Sequence, residues 1–344
     1  AYEHIKCGID GPVVFNVMNG TGPYVEQLIM KAVPGASSVN TVTFKGDGLA
    51  TITFASTNTD QRAVIKLDGT RFIIFDSLNI IANEGSFGYG VQLMSNTDSN
   101  VVRNCTITLP MSGSSTNWAG IVVSGSATSA TGTGTVLSDG NIFEGNTIIG
   151  GYYGITLMAT FTGGANGNNK IINNTIQDFY EYGIYAGGSY NTVIEGNSIS
   201  RPTRTNAGNF TGIYFTSEKN TGCLVSKNRI FDPFGSDLTS TREFYGIHFN
   251  SSDGSADAVN TVSNNLIYKV NGNGPVYGIA NTGSDYAWYF HNTISLDEIS
   301  STSTSTTRGF YQTTTAGGLF FYNNIISITR GGTGNKHCIY LNAN

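Results

Sequence analysis

Charge is scarce in this chain, with 12% of its 344 residues being Asp, Glu, Lys or Arg, so the places where charge gathers are informative. One stretch holds Arg201 and Arg204, the next holds Asp232, Asp237, Arg242 and Glu243, and Glu218, Lys219 and Asp253 lie close by in sequence. These connections lead into two segments that carry Tyr214 and His248. A guanidinium, an imidazole and a phenol form the set that β-elimination of a uronate requires. The cation neutralises the carboxylate, the base takes the proton α to it, and the acid protonates the leaving oxygen. Arg242 or Arg204, His248 and Tyr214 fit those roles. Hydrolysis would instead call for two carboxyl groups across a cleft, and Glu243 with Glu218 or Asp253 are the nearest candidates. The same residues also read as solvated loop charges beside a lone surface histidine.

What would bring such residues together is a repeat. An Asn followed two residues later by Ile recurs at Asn146, Asn174, Asn197, Asn228, Asn265, Asn292 and Asn324, while Cys105/Ile107 and Leu78/Ile80 keep the Ile alone. Three residues ahead of each landmark the side chain is apolar, from Phe75 and Val102 through to Tyr289 and Phe321. Between these lies a Gly before an apolar residue, as in Gly154-Ile155, Gly183-Ile184, Gly212-Ile213 and Gly246-Ile247, and Cys338-Ile339 closes the series. Units of 23 to 41 residues with short apolar runs cannot bury a core singly. They must stack, setting like residues above like. The apolar positions do not recur at helical spacing and Gly, Asn, Ser and Thr crowd every segment, so the units are strands and turns. A recurrent Asn at a sharp turn tolerates left-handed backbone, and its amide both donates and accepts, so stacked copies can bond one another. The expectation is an all-β parallel solenoid with a column from Ile80 to Ile326 buried throughout. Beside it runs an asparagine ladder, with Cys105 and Leu78 as apolar steps.

This pattern resembles the right-handed parallel β-helix of the pectin-lyase-like superfamily, over about residues 12–344. The resemblance implies that the Asn turn joins the second strand of a rung to the third, and that the Gly-Ile strand is the first. It also implies that members which are enzymes work on the outer face of that first strand. With the residue after Gly inward, strand alternation sends the next one outward. The outward column is then Gln92, Val122, Thr156, Tyr185, Tyr214, His248, Ala280, Tyr311 and Tyr340. The same parity puts Gly outward and the preceding Tyr89, Tyr153, Tyr182, Tyr245 and Tyr277 inward. Tyr185, Tyr214 and His248, about 5 Å apart per step, form a floor for a glycan, since aromatic faces offer sugar rings apolar area with a polar tip. Tyr185, Arg204 and Glu243 would bind substrate, with Arg204, Arg242 and Glu243 along the sides. Cross-rung stacking that merely steadies the sheet is the other reading.

Motifs of individual branches match only in fragments. Arg201-Pro202-Thr203-Arg204 is a faint echo of the main pectate lyases, and Asn96-Thr97-Asp98 and Asn58-Thr59-Asp60 match the first polygalacturonase motif alone. Asp253-Gly254-Ser255-Ala256-Asp257 is too short and ligand-poor to favour a calcium loop, so neither a metal nor a cofactor is expected.

A net charge of −5 without a Lys/Arg cluster argues against nucleic acid or an anionic membrane as partner. No apolar run is long enough to span a bilayer. Cys7, Cys105, Cys223 and Cys338 occupy separate rungs and are expected to be buried free thiols. Residues 1–10 are expected to form a short capping helix, residues 11–344 a single domain of stacked rungs, and the whole a part of a longer chain. Such Ser/Thr/Asn/Gly-rich solenoids resemble secreted or surface proteins of bacteria. The leading expectation is an extracellular monomer that binds a polysaccharide, with cleavage as a lyase on a uronate-containing glycan as the favoured reaction. The competing one is a non-catalytic adhesin or stalk segment of a large surface protein.

Overall fold

The computed structural model describes residues 1–134, 138–160, 166–216 and 220–342. The chain winds through three parallel sheets of eleven strands each. Every rung gives one short strand to each sheet in turn, as in Lys170–Ile172, Thr175–Gln177 and Tyr182–Gly187. We call these the lead, ladder and glycine sheets. Within a sheet each strand pairs with its equivalent one rung earlier and one rung later, so the order along the sheet is the order along the chain. The expected parallel solenoid is therefore present, and its core is the column of inward side chains from all three sheets.

The register follows from the ladder. Each Asn from Asn146 to Asn292 donates through Nδ2 to Oδ1 of the next Asn, at 2.9–3.0 Å, and Asn324 receives the last of these bonds. The same Oδ1 accepts the backbone N–H of the Asn one rung before it. Cys105 joins by donating its N–H to Asn146 Oδ1 at 3.0 Å. The left-handed residue of the turn is the one before the ladder Asn, at Asn104, Asn173, Lys227, Asn264 and Asn323, so the amide's role is bonding. Ile80 through Ile294 are fully buried, whereas Ile326 is half-buried because no further described rung stacks on it.

The cap, the cysteines and a second ladder complete the fold, and two of the cysteines depart from expectation. The capping helix is one turn, Tyr2–Ile5, with Ile5 buried and Tyr2 and Ile9 packed on the end of the core. Of the four free cysteines, Cys105 and Cys223 are buried, and burial pushes both thiols up to about 12. Cys7 and Cys338 are exposed, one in the turn after the helix and one in the last described rung. A second, shorter ladder runs through Asn100, Asn141 and Asn169 where the chain returns to the lead sheet, with amide bonds of 3.1 and 3.2 Å.

Candidate functional site

The glycine of each rung decides what the outer face of its sheet carries. Cross-strand partners step over it: Tyr182 lies opposite Thr211 and Ile184 opposite Ile213, then Tyr245 opposite Tyr277 and Ile247 opposite Ile279. A Cβ built on Gly183 would lie 2.6 Å from the Gly212 carbonyl oxygen and 2.7 Å from Ile199 Cγ2, so this position faces the core. Gly and the following Ile thus both point inward, and strand alternation breaks there as it does at a bulge. The consequence reverses the expected parity. Tyr89, Tyr153, Tyr182, Tyr245 and Tyr277 stand on the outer face, and the glycines do not.

Two interleaved aromatic columns result. The Tyr182 and Tyr185 ring centroids are 5.0 Å apart, Tyr182 and Tyr214 5.5 Å, and Tyr185 and Tyr214 5.0 Å. His248 meets Tyr214 edge-on at 5.2 Å and stacks on Tyr245 at 4.6 Å, 12° from parallel. Tyr245–Tyr277, Tyr277–Tyr311 and Tyr311–Tyr340 continue the strip at 4.7, 5.1 and 5.9 Å. Arg308 occupies the column position next after Tyr277, with its guanidinium carbon 4.3 Å from the Tyr311 centroid and 3.8 Å from that of Tyr340. A third outward column, Thr216, Asn250, Thr282 and Thr313, supplies polar groups. Asn250 Nδ2 donates to the Tyr214 hydroxyl at 2.8 Å, and Thr282 Oγ1 lies 3.0 Å from His248 Nε2. From Tyr182 to Tyr340 the strip crosses five rung steps, about 24 Å at strand spacing.

The strip is closed at one end. Residues 124–134 fold back over the sheet, where Gln92 Nε2 donates to the Ser126 carbonyl at 3.1 Å and Ala130 packs with Tyr89, Val122 and Tyr153. Gln92, Val122 and Thr156 face outward as expected yet are fully buried under this cover. Tyr182, Tyr185, Tyr214, Tyr245, His248, Tyr277 and Tyr311 are half-buried, so the strip opens from Tyr182 onward.

Electrostatics follow the packing. Burial pushes the His248 imidazole down to about 4, so it is neutral at pH 7. Burial also raises the phenols of Tyr182, Tyr185 and Tyr245, with the charge of Glu181 adding at Tyr182 and that of Glu243 at Tyr245. Glu181 Oε2 accepts a 2.6 Å bond from the Tyr152 hydroxyl at the closed end.

The family model described as "Right handed beta helix region" matches residues 111–326, more than half of the chain. The chain belongs to the right-handed β-helix family. No curated protein sequence matches it. Among solved structures it is similar to DFA-IIIase from Arthrobacter chlorophenolicus A6, at 11% identity and TM-score 0.54, over 97% of this chain and 80% of that one. The same enzyme without its lid aligns at 12% identity and TM-score 0.52, over 99% and 86%. Lacto-N-biosidase from Eubacterium ramulus aligns at 11% identity and TM-score 0.48, over 96% and 61%. The two DFA-IIIase likenesses concern the fold alone.

On this right-handed β-helix the six residues singled out in the sequence separate into groups. Tyr185, Tyr214 and His248 are neighbours on the strip, and Glu243 lies at its edge, with its backbone N–H bonded to Asn209 Oδ1 at 3.1 Å. Arg204 does not reach the strip. It is 3% exposed, and its guanidinium donates to the carbonyls of Asn206, Gly151, Asp178 and Gly113 at 2.6–3.1 Å, with the Tyr180 ring beneath it. Arg201 is likewise bonded to carbonyls of Pro233, Tyr180, Asn209 and Gly208, so the Arg-Pro-Thr-Arg segment is a loop staple. Arg242 is exposed and, together with Arg204, lines a recess of about 190 Å³ that also takes in Asn206, Phe234, Asp237 and Ser240. It precedes His248 by six residues, on the order of 15–20 Å of extended chain. Neither Tyr214 nor His248 lines the recess that Arg242 faces. Glu218 and Lys219 lie outside the described residues. Asp253 accepts the Asp285 N–H at 2.9 Å, and no three metal-ligating side chains gather among the described residues. No described helix is long and apolar enough to cross a membrane.

Sequence reasoning missed Tyr182, Tyr245, Tyr277 and Arg308. The signal was the Gly itself, recurring at one strand position where a larger residue would serve an outward role as well.

Proposed function

We propose that this protein binds a glycan lengthwise along the outer face of the glycine sheet, from Tyr182 to Tyr311. The observation that carries the reading is the double column of half-buried rings at rung spacing, bordered by Thr216, Asn250, Thr282 and Thr313. Rings packed edge against face are held in place before a ligand arrives, so little side-chain freedom is lost on binding. Their partly exposed faces suit the apolar side of a sugar, and the adjoining hydroxyls and amide suit its oxygens. The likeness to DFA-IIIase supports the fold, and the carbohydrate reading rests on the strip.

Binding is favoured over elimination. His248 is neutral and touches Tyr214, but Arg204 is committed to carbonyls and Arg242 faces a separate recess, so no cation named from the sequence stands beside that pair. An extracellular or cell-surface setting, where polymeric glycans are met, belongs to the proposal. The test is affinity electrophoresis through gels holding neutral or charged polysaccharides. Retardation by at least one polymer is expected, with Tyr185→Ala and Tyr214→Ala each weakening it about tenfold, the order of one aromatic contact. If no polymer retards the protein, the adhesin or stalk reading takes its place.

A further inference from the structure

The structure assigns Arg308 as the recognition point for an acidic group, carboxylate or sulfate, on the glycan. This rests on the binding reading above and adds a chemical class to it.

The four buried arginines all have structural partners. Arg62 donates to the Thr59 carbonyl and to Asn117 Oδ1, Arg201 and Arg204 donate to carbonyls as described, and Arg330 donates to Thr307 Oγ1 and to the Gly272 and Gly274 carbonyls. Each of them ties a loop to the solenoid. Arg308 does none of this. Among the described residues its guanidinium makes no hydrogen bond and no ion pair, and its Nε is buried without a partner. Three tyrosine rings hold it instead, at 3.8 Å (Tyr340), 4.3 Å (Tyr311) and 5.7 Å (Tyr277) from the guanidinium carbon. His337 lies opposite it in the next rung, with its Nδ1 also buried and unpartnered.

A guanidinium kept by stacking alone retains its planar fork of N–H donors, the geometry that takes two oxygens of a carboxylate or sulfate side by side. The two terminal nitrogens of Arg308 are neither buried nor bonded to any described residue, so they stay open to the oxygens of an anion on the strip. The strip is also polarised along its length. Glu181 and Glu243 lie at the Tyr182–Tyr245 end and Arg308 at the other, so an acidic sugar is favoured at the Tyr311 end and disfavoured at the first. On a chain of net charge −5 this is a local cation in an otherwise repelling field.

The test uses two matched series, dextran with carboxymethyl-dextran and dextran sulfate, and hydroxyethyl-cellulose with carboxymethyl-cellulose and cellulose sulfate. Affinity electrophoresis at fixed ionic strength gives the charged-to-neutral ratio of affinities within a series. Wild type should show a ratio well above one, and Arg308→Gln should lower it about tenfold, the size of one charge-assisted bidentate contact. Arg308→Lys keeps the charge without the fork and should fall between the two. The carboxylate and sulfate arms report which acid is preferred. A ratio near one in wild type, or a ratio unchanged in Arg308→Gln, overturns the assignment while leaving binding to the strip intact. Failure of every polymer, neutral ones included, instead removes the binding reading itself. Should Arg308→Gln unfold, as circular dichroism would show, the Arg308→Lys ratio decides alone, and equality with wild type counts against the fork.

Discussion

Replacing Gly183 by Ala separates two registers by the sign of its effect. Had the glycine pointed outward, as strict alternation requires, the new methyl would enter open space. Gly→Ala would then stabilise by about 0.4–1 kcal/mol through loss of unfolded-state freedom. In the structure the methyl would lie 2.6 Å from the Gly212 carbonyl oxygen, 2.7 Å from Ile199 Cγ2 and 3.4 Å from Phe179 Cε1. The carbonyl belongs to the backbone of the next rung, and Ile199 is fully buried between neighbours, so neither can retreat cheaply. Forcing an extra methyl into such a site costs about 1–3 kcal/mol, and the upper part of that range applies because one of the two close atoms is backbone. Gly317 provides the control. A methyl there would have Asp285 Oδ1 as its nearest neighbour, at 3.9 Å, so Gly317→Ala should show the open-space effect, a gain of about 0.4–1 kcal/mol. Urea midpoints of the three proteins, with near-identical slopes, give the comparison. A Gly183→Ala protein as stable as wild type or more so would refute the inward glycine, and with it the outward placing of Tyr182, Tyr245 and Tyr277.

Further expectations follow from the ladder and from His248. Asn197 accepts from the backbone N–H and Nδ2 of Asn174 and donates to the Ile171 carbonyl and Asn228 Oδ1. Asn197→Ala leaves two buried donors unpaired and should cost about 3–5 kcal/mol in the same urea assay. Cys105 occupies a ladder position beneath Asn146, so Cys105→Asn should extend the ladder and leave the midpoint unchanged or raise it by up to about 1 kcal/mol. His248 is held neutral by burial, with its folded value lowered to about 4. The unfolded imidazole takes up a proton from about pH 6.5 downward, so wild type should lose stability as pH falls from 6.5 to 4. The ring is partly exposed, which limits the loss to about 2 kcal/mol, and the difference between wild type and His248→Gln against pH isolates it.

The stacking of rungs was legible because it is written in spacing. An Asn two residues before an Ile, with an apolar residue three before it, can be satisfied in every rung only if like sits on like. The second ladder was not legible: after Asn169 its positions are held by Thr192 and Cys223 before Asn260 resumes it, so no unbroken run of Asn marks it. The candidate site was half legible. Tyr185, Tyr214 and His248 lie beyond the irregularity and kept their parity, whereas Tyr182, Tyr245 and Arg308 lie before it and lost theirs. Local charge was a poor guide, since Arg201 and Arg204 satisfy backbone carbonyls of their own and neighbouring loops. A sequence shows that a guanidinium is present and does not show which oxygens it has already found.

The strip has a rival, and one measurement tells them apart. Trp288, Phe290, Phe320 and Tyr322 form a second aromatic cluster on the lead sheet, with Trp288–Phe320 at 5.2 Å and Phe290–Tyr322 at 5.1 Å. Hydroxyl-radical footprinting of the protein, free and saturated with the polysaccharide that retards it most, reads both faces in one experiment. Protection of Tyr185, Tyr214, Tyr245, His248 and Tyr277, with Trp288, Phe290 and Tyr322 reacting as before, is the predicted result. Protection confined to Trp288, Phe290 and Tyr322, or none on the glycine sheet, would contradict the account.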